Sequence, residues 1–267
     1  MQKNLILQGV GGLVILACVA RYLYTLTQVP WTPTFGAAAA AFVFISLAAA
    51  WLLLRRHPGR PKTQWWLPAS LLAGAALCGV LPPVNTAYLS STADLPDVVA
   101  YLFSPFPEET AKLLAVFFVV AVFAPVRRPV EAAVVGMAVG AGYTVAETVT
   151  NSAIAAALDL QSEYFDGVAS IVALVVMGPF AHAVYTGLAA WGLGQFLFRT
   201  DQPLGWRVSR LIGWFLLAVA IHGAFNASKE LPGTAGLVAA IAVTVLLWVL
   251  LIWLYRRSRA VASQTSR

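Results

Sequence analysis

The chain has 267 residues, of which 60% are hydrophobic and only 10% charged, and its mean hydropathy is +0.79. A soluble protein of this length needs more charge than that to cover its surface, so lipid must be the main solvent. The formal charge of +6 does not signal a nucleic-acid partner, because Lys and Arg sit in short clusters between apolar runs and in the C-terminal tail, not on one basic face.

Eight apolar runs follow in chain order: Leu5 to Ala20, Phe35 to Leu54, Trp65 to Val84, Glu108 to Ala124, Val130 to Thr150, Val168 to Phe198, Leu211 to Ala227 and Leu237 to Tyr255. A bilayer span takes about 20 helical residues. The expected fold is therefore all-α, a polytopic membrane helix bundle of about eight transmembrane helices. Lys3 and the first run also resemble a signal peptide, and Ile15-Leu16-Ala17-Cys18 a lipoprotein cleavage box, but the multi-pass pattern favours a retained helix. Cys18 and Cys78, each inside an apolar run, read as packing residues. The sixth run is long enough to tilt, or to break near Gly178-Pro179.

Basic residues set the orientation. Arg55, Arg56, Arg60 and Lys62 follow the second run, Arg127 and Arg128 the fourth, Arg199, Arg207 and Arg210 the sixth, and Arg256, Arg257 and Arg259 the eighth. The opposite loops carry Asp94, Asp97, Asp159, Glu163, Asp166 and Glu230, with Lys229 as their one clear base. Both termini are then cytoplasmic. His57 lies in the first basic loop and reads as a solvated bystander. The longest outer connection, Tyr88 to Pro107, is broken by prolines and sits where it can cover something beneath. Trp206, Trp214, Trp248, Trp253 and Tyr255 read as interfacial anchors or lipid contacts.

Ionisable groups at membrane depth are costly and usually functional. Here they are Glu108, Glu109 and Lys112 on the fourth run, Glu147 on the fifth, His182 on the sixth, and His222 with Asn226 on the seventh. Counted from the cytoplasmic arginines at 1.5 Å per residue, Glu109, Glu147, His182 and Asn226 lie roughly 24–28 Å up and His222 about 18 Å, all in the outer half of the bilayer. Residues three or four apart share a helix face, so Lys112 can neutralise one of Glu108 and Glu109 and leave the other available. Tyr143 with Glu147, and His222 with Asn226, are spaced the same way; an Asn one turn from a His can fix its ring or hold a reacting carbonyl.

Two histidines, several carboxylates and an Asn suit hydrolysis by a deprotonated water. Two mechanisms use the same residues. In one, His182, His222 and Glu147 hold zinc or another divalent metal; in the other, carboxylates act without metal. An ion- or proton-coupled transporter would also bury such groups, but the inner halves of these helices lack matching charges. A catalytically idle membrane scaffold or immunity protein is the other alternative.

The motifs are similar to those of the PrsW family of intramembrane proteases, distant relatives of the CAAX-processing enzymes. Glu108-Glu109-Thr110-Ala111-Lys112 matches its EExxK signature, and Gly136 to Glu147 resembles its Gly-rich helix ending in FxxxE. His182-Ala183-Val184-Tyr185-Thr186-Gly187 and His222-Gly223-Ala224-Phe225-Asn226 resemble its third and fourth motifs. Tyr143 stands where the family often has Phe, and Thr148 where Asn often follows the glutamate. CAAX-processing enzymes typically carry Arg after a longer gap and His in the second motif, so Lys112 and Glu147 favour PrsW. The resemblance implies an endopeptidase that cuts a membrane-anchored protein, such as an anti-sigma factor, near the extracytoplasmic face of a bacterial inner membrane. Glu108 and Glu109 would activate water, Lys112 would orient or neutralise one of them, and Glu147, His182 and His222 would complete the site, with Tyr143 and Asn226 in support. It divides the chain into N-terminal membrane helices and outer loop (1–97), a catalytic helical core (98–230), and a last helix with a basic tail (231–267).

Overall fold

The computed structural model describes residues 2–29, 31–158 and 180–264. The break expected at Gly178-Pro179, and Asp159, Glu163 and Asp166, lie outside them. All regular structure among the described residues is helical: α1 (Gln2–Leu26), α2 (Pro33–Leu54), α3 (Trp66–Leu77), α4 (Pro82–Ser91), α5 (Asp97–Phe103), α6 (Pro105–Val122), α7 (Pro129–Leu158), α8 (Ala181–Phe198), α9 (Leu204–Ser228) and α10 (Gly233–Gln264). Five of these, α1, α2, α7, α9 and α10, are long and apolar enough to cross a membrane. The pair α3 and α4, bent by 43° at its break, passes only as one broken span. The outer connection expected after Tyr88 is itself partly helical, comprising the end of α4 and all of α5. The Tyr88 hydroxyl donates to the Ala100 carbonyl at 3.2 Å and ties the two together.

Local chemistry explains where the helices start. Thr32 caps α2 by accepting the Phe35 N–H at 3.2 Å, with Pro33 in the first turn. Pro82 and Pro105 open α4 and α6 in the same way, since proline costs no hydrogen bond at that position. At α7, Glu131 Oε2 accepts the N–H groups of Arg127 and Arg128 at 2.8 and 3.1 Å, and its other oxygen pairs with the Arg128 guanidinium at 2.9 Å. A carboxylate is thereby fixed at the positive end of the helix.

The core is organised around α7, buried over almost its whole apolar length. It packs most extensively on α8 and α3. Val134, Val135, Ala138 and Val139 of α7 meet Val116 and Val119 of α6 and Leu188 of α8 in one cluster. The faces of α1, α2 and α10 stay exposed, with Leu13, Phe44 and Val238 more than half accessible. These are the sides left for lipid. Close approach depends on small residues. A side chain at Gly140 of α7 would collide with the backbone of His182 on α8, and one at Gly223 of α9 with the backbone of Leu102 on α5. Both glycines sit beside residues of the polar cluster.

His57 is not solvated. It is fully buried, accepts the Gly59 N–H through Nδ1 at 3.0 Å, and meets the Ser258 hydroxyl through Nε2 at 2.9 Å. With Nδ1 accepting, the neutral ring carries its proton on Nε2 and donates it to Ser258. This clasp joins the loop after α2 to the end of α10. The sequence hid it because the partner lies 201 positions away. Burial holds the imidazole down to about 4 from its usual 6.5.

Two outcomes are expected. Gly140→Val forces α7 and α8 apart and lowers the melting temperature in detergent or abolishes the monodisperse peak on size exclusion; a parent-like melting curve would contradict this packing. Because the folded-state value of His57 is depressed, the unfolded chain binds the extra proton between pH 6.5 and 4. Stability from this group is complete above 6.5 and is lost as pH falls toward 4. Melting scans from pH 7 to pH 4.5 should show a drop that shrinks in His57→Gln.

Candidate active site

Four helices bring their polar residues to one place. The first turns of α6, opened by Pro105, present Glu108, Glu109 and Lys112 toward the bundle, and all three are buried. Lys112 is the centre. Its ammonium lies 2.7 Å from Glu108 Oε1, 2.6 Å from Glu109 Oε1 and 2.7 Å from His182 Nδ1, and 4.4 Å over the ring of Tyr143. The spacing left one carboxylate available; Lys112 instead contacts both. The contact to Glu108 is close but poorly aligned, so Glu108 Oε1 has an ion-pair partner without a well-formed hydrogen bond.

The histidines extend this arrangement. His182 Nε2 meets Glu147 Oε2 at 2.7 Å, and its Nδ1 also lies 3.5 Å from Glu108. Because a protonated Lys112 can only donate, His182 must accept at Nδ1 and donate from Nε2 to Glu147. His222 Nδ1 meets Glu109 Oε1 at 2.8 Å. The two imidazoles cross at 82° with centroids 5.0 Å apart. Tyr143 stands 3.4 Å from Glu147 Oε1 as its spacing implied. Asn226 does not brace His222: its amide donates to Ser104 Oγ at 3.3 Å.

Above the cluster is a cavity of about 260 Å³ lined by Glu108, Glu147, His182 and His222, by Asn85 of α4, by Tyr88 and Tyr101 from the outer connection, and by Asn151, Asn226 and Lys229. Glu109 is absent from that lining and fully buried. The adjacent glutamates thus face different surroundings, Glu108 the cavity and Glu109 the packed interior. Sequence spacing alone could not separate them, because the rotation of α6 depends on its packing. Tyr185, three residues after His182, also lines the cavity. It was not singled out from the sequence, although its place on the His182 face was available as a signal.

The same side chains suit a cation. One ligand atom each from Glu108, Glu109, His182 and His222 lies within 4.8 Å of the others, and all four residues are buried. Two imidazoles and two carboxylates form a donor set that zinc accepts, and Glu109 Oε2 is buried without a partner among the described residues. Charge points the same way. With Glu108, Glu109 and Glu147 ionised and Lys112 protonated, the site has a formal charge of minus two, which one divalent ion would balance. The donor set therefore fits a metal in kind, with His182 giving the ion the Nδ1 lone pair that Lys112 takes in this arrangement. It differs from the trio read from the sequence: both of the paired glutamates replace Glu147, which instead holds the far nitrogen of His182.

The model of the PrsW family of intramembrane metalloproteases matches residues 62–254, the greater part of the chain. This protein belongs to that family. No curated protein and no solved structure matches it. As a PrsW-family member it is a multi-pass membrane protease, a hydrolase whose substrate is a membrane-embedded protein. The matched stretch contains every residue of the polar cluster.

Lys112 makes a stability test possible. Lys112→Met leaves two buried carboxylates without their cation and should cost about 3–5 kcal/mol, seen as a lower melting temperature in detergent. Adding Glu109→Gln to that variant should recover part of the loss. A Lys112→Met protein as stable as its parent would show that these ion pairs do not hold the site together.

Proposed function

We propose that this PrsW-family protease hydrolyses a peptide bond of a membrane-anchored protein near the extracytoplasmic face, with Glu108 as the base that takes a proton from water. The observation that carries this reading is the division of the glutamate pair: only Glu108 lines the cavity. A water there can reach Glu108 and a peptide carbonyl at once, the condition for general-base attack. Glu109 then has a supporting role, with Oε1 accepting from both Lys112 and His222. His182, held by Glu147 on its other nitrogen, orients Lys112 and borders the cavity. Glu108, Glu109, His182 and His222 are the residues that would hold a divalent metal, which supplies Lewis acidity and eases deprotonation of water.

In this reading α6, α8 and the bent α3 and α4 pair also traverse the bilayer, giving about eight spans. The basic clusters lie at the helix ends away from the cavity, which supports an extracytoplasmic opening and cytoplasmic termini. The setting is a bacterial inner membrane, and the substrate a single-span protein of the anti-sigma type, which presents a cleavable segment just outside the hydrocarbon. A transport pathway is disfavoured by what closes the cluster on its inner side, where Val116, Val119, Val134 and Val135 are packed with almost no exposure.

Glu108→Gln preserves size and should reduce cleavage of a single-span reporter by about 10²–10⁴-fold while leaving the melting temperature within a few degrees. Glu109→Gln should lower activity and stability together. Wild-type turnover by Glu108→Gln would remove Glu108 from the base role. Dialysis against a chelator, with bound metal measured by mass spectrometry, should abolish activity in step with metal loss if the four-residue group holds an ion; unchanged activity in metal-free protein would leave the carboxylates acting alone.

A further inference from the structure

Hydrolysis of a peptide bond needs more than a base, because the carbonyl oxygen becomes an anion when water adds. In a site this dry, an unaided oxyanion is expensive and a hydrogen-bond donor aimed at it is worth more than in water. The donors of the cluster can be counted. Lys112 is surrounded by Glu108, Glu109 and His182. His222 directs Nδ1 at Glu109, and His182 directs Nε2 at Glu147. Asn226 spends one of its amide hydrogens on Ser104 at the rim. Among the fully buried donor atoms of the residues that line the cavity, one, the hydroxyl of Tyr185, has no hydrogen-bond partner in the described residues.

Its position is well fixed. Tyr185 is 1% exposed yet lines the cavity. It stands on α8 one turn from His182, and long side chains on a helix lean toward the helix N-terminus, which in α8 is the cavity end. The ring stacks on His222 at 4.5 Å with an interplanar angle of 6° and meets the edge of His182 at 5.5 Å and 84°. Leaving this position would open a gap between the two imidazoles. A buried hydroxyl without a partner costs about 1–3 kcal/mol, and phenylalanine would fill the same volume and keep the same stacking without that cost. The packing is thus the work of the ring, and the hydroxyl makes no hydrogen bond to the described residues. Asn85 Oδ1, the other unpartnered cavity atom apart from the ion-paired Glu108, is an acceptor and cannot stabilise an anion.

We propose that Tyr185 is a further catalytic residue, whose phenolic O–H donates a hydrogen bond to the oxygen of the tetrahedral intermediate. The proposal rests on the protease reading with Glu108 as base. Water oxygen bonds to the carbonyl carbon, one water proton passes to Glu108, and the carbonyl π pair moves onto oxygen, where Tyr185 meets it. Tyr185 keeps its proton throughout. On collapse the C–N bond breaks and the proton held by Glu108 goes to the leaving nitrogen.

The test is Tyr185→Phe in the full chain in detergent, which keeps the ring and removes one oxygen. Two probes are titrated by calorimetry: a tetra-alanine phosphinic peptide, whose tetrahedral anionic centre mimics the intermediate, and the matched tetra-alanine amide. Wild type should prefer the phosphinic peptide by at least tenfold. Tyr185→Phe should weaken that peptide by about 100-fold, leave the amide within twofold, keep the melting temperature, and lower kcat for the single-span reporter with little change in KM. Equal loss for both peptides would mean a structural role only and would overturn the proposal. So would wild-type affinity for the phosphinic peptide, absence of any preference in wild type, or transfer of the whole effect to Asn226→Ala. Glu108→Gln separates the two ideas: it should lose cleavage and keep the phosphinic preference, and if it cleaves normally the base assignment fails while the Tyr185 binding result still stands on its own.

Discussion

Lys112 carries a full positive charge to a point with no solvent access, more than a helical turn into an apolar helix. Several kcal/mol of lost hydration must be offset there, and only charges of opposite sign at contact distance can do so. Two carboxylates from the same helix approach to 2.7 Å or less, and the Nδ1 lone pair of a neutral imidazole from another helix does the same. The remaining geometry follows from this. Glu109 must turn inward to reach the ammonium, which leaves Glu108 on the cavity side. His182 must offer a lone pair to the lysine, which directs its other nitrogen to Glu147. His222 completes the coordination of Glu109. A cation that neutralises acids thus also assigns orientations and tautomers to groups on three other helices.

Such an arrangement requires helices that cannot drift. The contacts of Lys112 with Glu108, Glu109 and His182, and those of His182 with Glu147 and His222 with Glu109, are all 2.6–2.8 Å, while the helices bearing them are separated by long stretches of chain, so backbone spacing must be set elsewhere. Gly140 and Gly223 provide this by letting α7 rest on the backbone of His182 and α9 on that of Leu102. Polar precision in the cluster and close glycine packing are therefore parts of one design. The valine-rich layer below adds a dry floor, and α4 and α5 supply much of the rim.

Much of this was legible before any coordinates. Residues that violate apolar runs stand out, and their spacing from basic loop residues put them at one depth. The all-helical fold and the i, i+3 and i, i+4 pairs within α6 and α7 follow from helix geometry alone. What escaped has a common cause. Tyr185 is amphipathic and does not look misplaced in a membrane helix. The division of labour between Glu108 and Glu109 depends on how α6 is rotated, which its neighbours decide. Asn226 was assigned to His222 by spacing, but a tertiary partner, Ser104, took its amide. His57 looked like one more polar loop residue because nothing near it in the chain shows that Ser258 will cover it.

That clasp bears on where the functional unit ends. His57 precedes the stretch matched by the family model and Ser258 follows it, so the matched helices are closed at the end away from the polar cluster by one residue from beyond each boundary. The hydroxyl of Tyr255, also outside the match, reaches the Leu53 carbonyl at 3.1 Å in the same region. A fragment cut to the matched limits would shed both halves of this buckle at once. The part of the chain that is recognisable and the part that must be present to stay shut are different lengths, and the second is the longer.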